Sequence, residues 1–545
     1  LATGGTRLGA PRLVGDSVWW TEGIATEGGR QAIVRTAGPV PLPQPWDGTA
    51  LDGTDAHAPA DPVTVLPAPF NARSRVHEYG GASWTVVTGA DEAPAGTPLV
   101  VFVNFEDQRV YALVEGEQPR VLTPVGPEIA SAQGPSLRWA DPTPVTLPDG
   151  RTEIWWICED HTRAAPGTDD ADGAPHIERY VAAVPLDGSA AEDPSALRRV
   201  TPSARFVAHP RVSPRGDQVA WISWEHPQMP WDGTELHLAP LMNGSAGEGE
   251  IIAGGIDTSV LQPEWLDDER LMFVSDASGW WNPWVFSADG GTRQVLELDQ
   301  EFAGAMWGLG TTWYQVLDAD RALVQHGRAA TSLSVLQLST GELTGLDCPL
   351  TQISAAELRA DGLLVLAGAS PTRFAAIHTA HLNLGATGSS AAAPSLSPLS
   401  PLRSSRSDAP DPGLLPEAES IEVPLPGGGV VHAIVHRPRQ TGIAGREGDL
   451  PPFIAQVHGG PTAHVPPVLS LPIAYYTSRG LGVVVVNYGG STGYGRAYRD
   501  RLRGQWGVVD VQDTVAVMEH LVAEGIADGQ RLAIEGGSAG GWTTL

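Results

Sequence analysis

The sequence predicts an all-β, seven-bladed propeller followed by the first, incomplete part of an α/β domain, and three observations carry that prediction. A strand–turn–strand unit recurs through residues 1–385, a Ser/Ala/Pro-rich stretch interrupts the chain at 386–417, and apolar strands alternate with helical periodicity over 418–545. At 545 residues the chain is longer than the roughly 250–300 residues at which one hydrophobic core stops growing, so several domains are expected. An apolar content of 42% with 18% charged residues describes a folded chain rather than a disordered one.

The repeats come first. Glycine (64) and proline (47) supply many tight turns, and 18 tryptophans outnumber 9 phenylalanines, marking the strands between those turns. Seven units follow one another: "PRLVGDSVWWTEG" with "QAIVRTA", "HEYGGASWTVV" with "PLVVFVNFEDQRVYALV", "LPDGRTEIWWICED" with "ERYVAAVPLDG", "HPRVSPRGDQVAWISWEHP" with "TELHLAPL", "QPEWLDDERLMFVSD" with "NPWVFSADGG", "GTTWYQVLDADRALVQHG" with "SLSVLQLSTGE", and "ISAAELRADGLLVLAGA" with "AAIHTAHLNLG". A spacing of roughly 50 residues and short alternating strands are the signature of propeller blades. A β-sandwich array or a solenoid is the competing arrangement, and turn–strand units such as "SPRGDQVAW" favour the propeller.

The stretch 386–417 is expected to be an exposed linker or loop, because it holds too little apolar surface to offset the entropy of ordering it. Beyond it, "IEVPLPGGGVVHAIVHRP" reads as two strands around a Gly-rich turn and "FIAQVHGGP" as a buried strand ending in a glycine loop. "LGVVVVNYGG" has the uniform apolarity of a strand covered on both faces. A helix is expected between Asp510 and Gly525, with Asp510 as N-cap, Val511, Val515, Met518 and Val522 as its apolar face, and Gly525 as its stop. The strand "RLAIE" then leads to Ser538.

The formal net charge is −29, and all 34 basic residues are arginines, a balance that argues against nucleic-acid binding and is otherwise read as solubility. Cys158 and Cys348 stand far apart, outside any disulfide framework or metal-ligand spacing, so no metal or cofactor is expected and a reducing cytoplasm fits best. No apolar run has the roughly 18 residues needed to span a bilayer, and no membrane partner is expected. Oligomeric state is left open.

A serine in G-x-S-x-G is weak evidence alone, and the chain holds two, at Ser491 and Ser538. Context separates them. A nucleophile elbow needs a strand before the serine, a helix directly after it and small neighbours, and Ser538 has Gly536, Gly537, Ala539, Gly540 and Gly541 around it. Ser491 is followed by "TGYGRAYRDRLRG", which reads as a surface loop. "HGGP" at 458–461, at the end of an earlier strand, is where an α/β-hydrolase offers an oxyanion amide, here from Gly460, with the amide of Ala539 as the second donor. Alone, "HGGP" also fits an ordinary turn.

With "VHEYGG" (76–81), "SWEHPQMPWDGTEL" (223–236), "HGGP", "NYGGSTGYGR" (487–496) and "GGSAGGW" (536–542), the chain resembles the prolyl oligopeptidase family of serine peptidases (family S9), above all its acylaminoacyl-peptidase and dipeptidyl-aminopeptidase members. The order of these motifs agrees with that family's propeller followed by an α/β-hydrolase domain. The resemblance implies that Ser538 is the catalytic serine, that Gly460 and Ala539 form the oxyanion hole, and that the substrate is an oligopeptide admitted past the propeller. Tyr488 and Tyr494 fall in a loop beside the family's active site and are candidate pocket residues. For an aminopeptidase-like activity a propeller carboxylate would pair with the substrate amine; Glu78, Glu225, Asp232 and Asp276 are candidates, and each also fits a turn- or blade-stabilising acid. In this fold the triad Asp and His follow the serine, and only seven residues do so here, so a fragment inactive by itself and left with an unpaired sheet edge is expected; Leu1 in place of methionine suggests a missing start as well. His464 and His520 are the upstream substitutes, with loop and helix-face readings of their own. An esterase or lipase, or a non-catalytic propeller binding protein, are the alternatives.

Overall fold

Turns rich in glycine and aspartate return each short strand onto its predecessor, and in the computed structural model this produces seven successive antiparallel sheets, over residues 7–64, 84–121, 137–199, 206–254, 260–294, 314–345 and 352–404. The structure describes residues 5–43, 61–128, 134–147, 149–163, 177–385, 393–406, 408 and 410–545. Each sheet has four or five strands and forms one blade of a propeller.

The tryptophan doublets explain how blades adhere. Successive strand residues point to opposite faces. Trp19 in Ser17–Ile24 therefore packs with Trp84, Val100 and Phe102 of the second blade, while Trp20 packs with Leu363, Val365 and Ile377 of the seventh. Trp155 and Trp156 in Thr152–Asp160 repeat the device, one joining Val207 and Val219 of the fourth blade and the other Leu99 and Val101 of the second. Among the described residues no strand is shared between blades, so the ring closes without a common sheet. The Trp20 cluster, an Arg403–Glu22 ion pair at 2.7 Å and the Leu13 amide on Glu357 Oε2 at 2.7 Å join the last blade to the first.

The expected linker differs from what is observed. Ser395–Leu396 and Ser400–Ser404 pair antiparallel with Arg373–Asn383 as the outer edge of the seventh blade, and Leu396, Leu399 and Leu402 pack on its faces. An edge strand uses only one side of its ladder, so it tolerates the prolines and serines that make this stretch read as a loop. Residues 386–392, 407 and 409 of the same stretch lie outside the described residues.

The second domain comprises β1 (Glu419–Pro424), β2 (Val430–His436), β3 (Phe453–Val457), α1 (Leu471–Thr477), β4 (Gly482–Asn487), α2 (Arg496–Asp500), α3 (Val509–Ala523), β5 (Leu532–Gly536) and α4 (Ala539–Thr544). Its sheet runs β1-β2-β4-β3-β5, with β3 parallel to both β4 and β5 and the β1–β2 hairpin antiparallel. Every residue of β4 is buried, as its valine run requires. The strand β5 is the edge of the described sheet, with Leu532 and Ile534 exposed.

Helix α3 turns inward a face that shares only Met518 with the one expected. Val511, Val515 (49% exposed) and Val522 point outward, whereas Asp510, Asp513, Thr514, Val517 and Leu521 are buried. Asp510 does not cap the helix but lies inside its first turn, accepting from the Gly507 amide at 2.7 Å and from Thr543 Oγ1 at 2.5 Å. Asp513 Oδ2 accepts from the Gly489 amide at 2.7 Å. Two buried carboxylates that need those donors set the rotation of the helix, overriding the apolar count. Gly525 closes it at φ 67°, a left-handed position that favours glycine.

A polar seam joins the domains. Arg496 and Arg499 of α2 both reach Asp276 Oδ2 of the fifth blade, at 2.7 and 2.6 Å, and Arg499 lies over the Trp281 ring. Glu301 accepts from the Trp281 amide of the propeller and the Gly495 amide of the second domain, each at 3.0 Å. Nearer the glycine loop, Trp307 Nε1 donates to Thr462 O at 2.8 Å. No described helix is long and apolar enough to cross a membrane.

Candidate active site

Ser538 stands between β5 and α4 with φ 51° and ψ −120°, outside the regions that a residue with a Cβ normally occupies. Its carbonyl accepts the Gly541 amide at 3.0 Å, closing the first turn of α4, while its side chain stays exposed. The glycines around it are required by contact. A Cβ on Gly536 would overlap the carbonyl of Gly540, and a Cβ on Gly540 would overlap the carbonyl of Val457 at the end of β3. Strand, bend and helix are thus pressed together, which is what forces the serine out. The amide of Ala539 is the first of α4 and has no acceptor four residues back within the helix.

The loop after β3 runs directly over the serine. A Cβ built on Gly459 would lie 3.1 Å from Ser538 Cβ and 3.7 Å from its Oγ. His458 anchors this loop from beneath: its Nδ1 lies 2.7 Å from Gly459 O and its Nε2 2.8 Å from Ser491 Oγ. Tyr488 stacks on the imidazole with centroids 4.5 Å apart and donates its hydroxyl to His458 O at 3.0 Å. Burial pushes His458 down to about 4, so the ring is neutral near pH 7.

The other candidates fall in three places. Ser491 is wholly buried (0% exposed), and its loop is no surface loop: Tyr488 to Ser491 are buried, and two of the arginines that suggested exposure, Arg496 and Arg499, form the seam with Asp276. Tyr488 and Tyr494 support this loop; Tyr494 stacks on His432 at 3.8 Å and bonds Asn487 Nδ2 at 3.0 Å. His464 bonds Thr492 Oγ1 and the Ala329 carbonyl, and His520 lies on α3. Glu225 accepts the Arg205 amide at 3.0 Å as a blade-stabilising acid, Asp232 holds Arg503 at 3.0 Å, and Asp276 is a seam residue.

Glu78 is placed differently. It has φ 62°, and its carboxylate is half exposed, held by Arg138 at 2.6 Å and Arg75 at 3.2 Å. Burial is the largest single influence and raises its proton affinity, but the hydrogen bonds and charges of Arg138 and Arg75 together outweigh it and hold the carboxyl below its usual value. It lines a cavity of about 330 Å³ walled by Tyr79, Trp224, Met229, Trp231 and Trp307. Trp307, whose indole donates to Thr462, connects this cavity to the glycine loop two residues after Gly460. Sequence reasoning missed Trp307, although a tryptophan between glycines in "GAMWGLG", outside the strand pattern, was the available signal. Among the described residues no group of three His, Cys, Asp or Glu side chains could hold a metal ion.

Residues 467–545 match the Prolyl oligopeptidase family, peptidase S9. A solved puromycin-hydrolyzing peptidase from Mycobacterium tuberculosis superposes with a TM-score of 0.84 at 39% identity, covering 100% of this chain and 75% of that one. The acylamino-acid-releasing enzyme of Arabidopsis thaliana is 40% identical over 97 residues, 18% of this chain and 13% of that enzyme. Dipeptidyl peptidase family member 6 of Caenorhabditis elegans is 40% identical over 93 residues, 17% of this chain and again 13% of the relative. With a propeller, the start of an α/β-hydrolase sheet and this likeness over three quarters of a solved relative, the chain belongs to the prolyl oligopeptidase (S9) family.

Proposed function

We propose that this chain carries the nucleophile and oxyanion hole of a serine peptidase that hydrolyses short peptides through an acyl-enzyme. The observation that carries the reading is Ser538, strained and exposed at its bend, with the Gly459–Gly460 loop passing over its side chain. Ser538 Oγ attacks the scissile carbonyl as a general base removes its proton; the amides of Gly460 and Ala539 hold the oxyanion; the amine leaves and water releases the acyl group. The base is none of His458, His464 and His432: His458 is committed to Gly459 O and Ser491, His464 to Ala329 O and Thr492, and His432, in β2, to the Tyr494 ring.

Glu78 is the proposed anchor for a free substrate amine. Its carboxylate is the exposed acid of an aromatic-walled cavity tied by Trp307 to the oxyanion loop, so a peptide held there by its N-terminus can extend toward Ser538. The puromycin-hydrolyzing relative makes puromycin the first compound to assay, beside aminoacyl p-nitroanilides, their N-acetyl forms and simple acyl esters. Glu78→Gln in the full-length protein should raise KM for free-amine anilides about tenfold, the worth of one charge-assisted contact, and leave N-acetyl anilides unchanged. Equal effects on both would remove Glu78 from substrate recognition, and turnover of esters alone would favour an esterase.

A further inference from the structure

The propeller channel is crossed by a bar of backbone that ties the start of the second blade to the segment entering the sixth. Gly81 bridges Leu309 in parallel; the Leu309 amide donates to Gly80 O at 3.2 Å, the Ala82 amide to Leu309 O at 2.8 Å, and the Asp141 amide to Ala82 O at 2.8 Å. A Cβ on Gly81 would lie 2.5 Å from Leu309 O, and one on Gly310 2.6 Å from Ala82 Cβ, so the bar is packed too closely for larger residues. On one side of it Glu78, Tyr79 and Trp307 wall the cavity described above. On the other, Gly81, Ala82 and Gly310 line a cavity of about 640 Å³ to which all seven blades contribute. The inner strands give the same order: Arg138 and Phe206 reach the first cavity, whereas Asp141 and Arg211, farther along those strands, reach the second. No described residue lines both.

The charges in this second cavity do not all find each other. Arg211 and Glu264 neutralise one another, both carboxylate oxygens lying 2.9 Å from Arg211 Nε, and Asp141 Oδ2 accepts the His209 amide at 3.1 Å. Arg12 and Glu357 remain. Arg12 donates to Thr85 Oγ1 at 3.3 Å and lies 5.7 Å from the Trp84 ring centroid, and among the described residues it forms no ion pair. Glu357 accepts the Leu13 amide through Oε2 at 2.7 Å and likewise forms no ion pair among them. Burial draws Arg12 down and lifts Glu357, each opposed in part by the charge of the other. Two opposite charges thus share one cavity without touching, and a buried charge is costly until a partner reaches it. We propose that this channel cavity is a second binding site, for a zwitterion such as a free amino acid or short unblocked peptide, whose carboxylate pairs with Arg12 and whose ammonium pairs with Glu357. The guanidinium fork matches a carboxylate by two parallel hydrogen bonds, and Glu357 keeps Oε1 as an acceptor. Free amino acids and short peptides are also what the proposed hydrolysis releases, but the site does not rest on that reading.

Isothermal titration calorimetry on the full-length protein tests the site. Leucine has no peptide bond to cleave, so its binding is read without reference to catalysis; leucyl-leucine is titrated into the Ser538→Ala protein, and the tighter of the two names the occupant. N-acetylleucine and leucinamide, each lacking one of the two charges, should bind about tenfold more weakly than leucine, the worth of one charge-assisted contact. Arg12→Gln should weaken leucine by about the same factor or more. If that variant does not fold, Arg12→Lys decides, and should still weaken binding because an ammonium cannot supply the fork. Glu357→Gln keeps an acceptor for the Leu13 amide; it should weaken leucine about tenfold and leave N-acetylleucine unchanged. Glu78→Gln, which alters only the cavity beyond the bar, should leave leucine affinity as in the wild type. Absence of binding by both leucine and the dipeptide would overturn the proposal, as would affinities indifferent to the Arg12 and Glu357 variants. Binding lost in Glu78→Gln alone would also overturn it, by placing the ligand in the other cavity.

Discussion

Ser538→Ala should abolish hydrolysis of aminoacyl anilides by the full-length protein, lowering kcat by about 10⁶-fold, the scale on which a triad serine peptidase loses its nucleophile. The loss should fall on kcat, because the methyl group removes the attacking oxygen and leaves the cavity around Glu78 intact. Stability should change little, since the side chain is exposed and the φ of 51° is as strained for alanine as for serine. Ser491→Ala makes the comparison informative. It deletes the hydroxyl of the other G-x-S-x-G match, buried and bonded to His458, and its loss should be smaller by several orders of magnitude. Steady-state kinetics on both variants, with thermal melts to establish that both fold, give the ratio.

Asp276→Ala should be the most damaging substitution at the domain seam. Asp276 is completely buried and neutralises Arg496 and Arg499, whose side chains are 14% and 3% exposed. Removing one partner of a buried ion pair leaves the other charge without compensation, at a cost of roughly 3–5 kcal/mol. Asp276→Asn keeps an acceptor for one guanidinium and should lose less. Urea unfolding followed by tryptophan fluorescence is suited to the comparison, because Arg499 lies 4.2 Å from the Trp281 ring centroid. The seam should also respond to pH. Burial lifts Glu301 to about 7, against the amides of Trp281 and Gly495 and the charge of Arg499, with Asp276 adding to the rise. A carboxyl with a raised folded pKa favours the folded state while protonated, so its contribution is present at low pH and is lost as pH rises from about 4.5 to about 7. Glu301→Gln should flatten that part of the stability profile between pH 5 and 7.

The parts of this molecule that were legible from sequence are those whose chemistry is local. Seven strand–turn units announced seven blades because turn residues and two-residue alternation depend only on near neighbours, and the elbow announced itself because tight strand–helix packing admits only small residues beside Ser538. What was not legible depended on partners distant in the chain. Val511, Val515 and Val522 form a regular apolar stripe, yet Asp510 and Asp513 turn it outward because Thr543 and the Gly489 amide require them inside. Arg496 and Arg499 read as surface charges because their counter-ion, Asp276, lies more than two hundred residues earlier. The edge strand at 400–404 was obscured by its own prolines and serines, and only pairing with Arg373–Asn383 reveals it. Tyr488 and Tyr494 illustrate the same limit: their rings face His458 and His432.

A crystal structure of the full-length protein after reaction with a peptidyl phosphonate addresses the proposed chemistry most directly. The account requires phosphorus bonded to Ser538 Oγ and one phosphonyl oxygen within about 2.7–3.1 Å of both the Gly460 and Ala539 nitrogens, as an oxyanion hole demands. Phosphorus on Ser491, or an oxygen that turns away from residue 460, would contradict it.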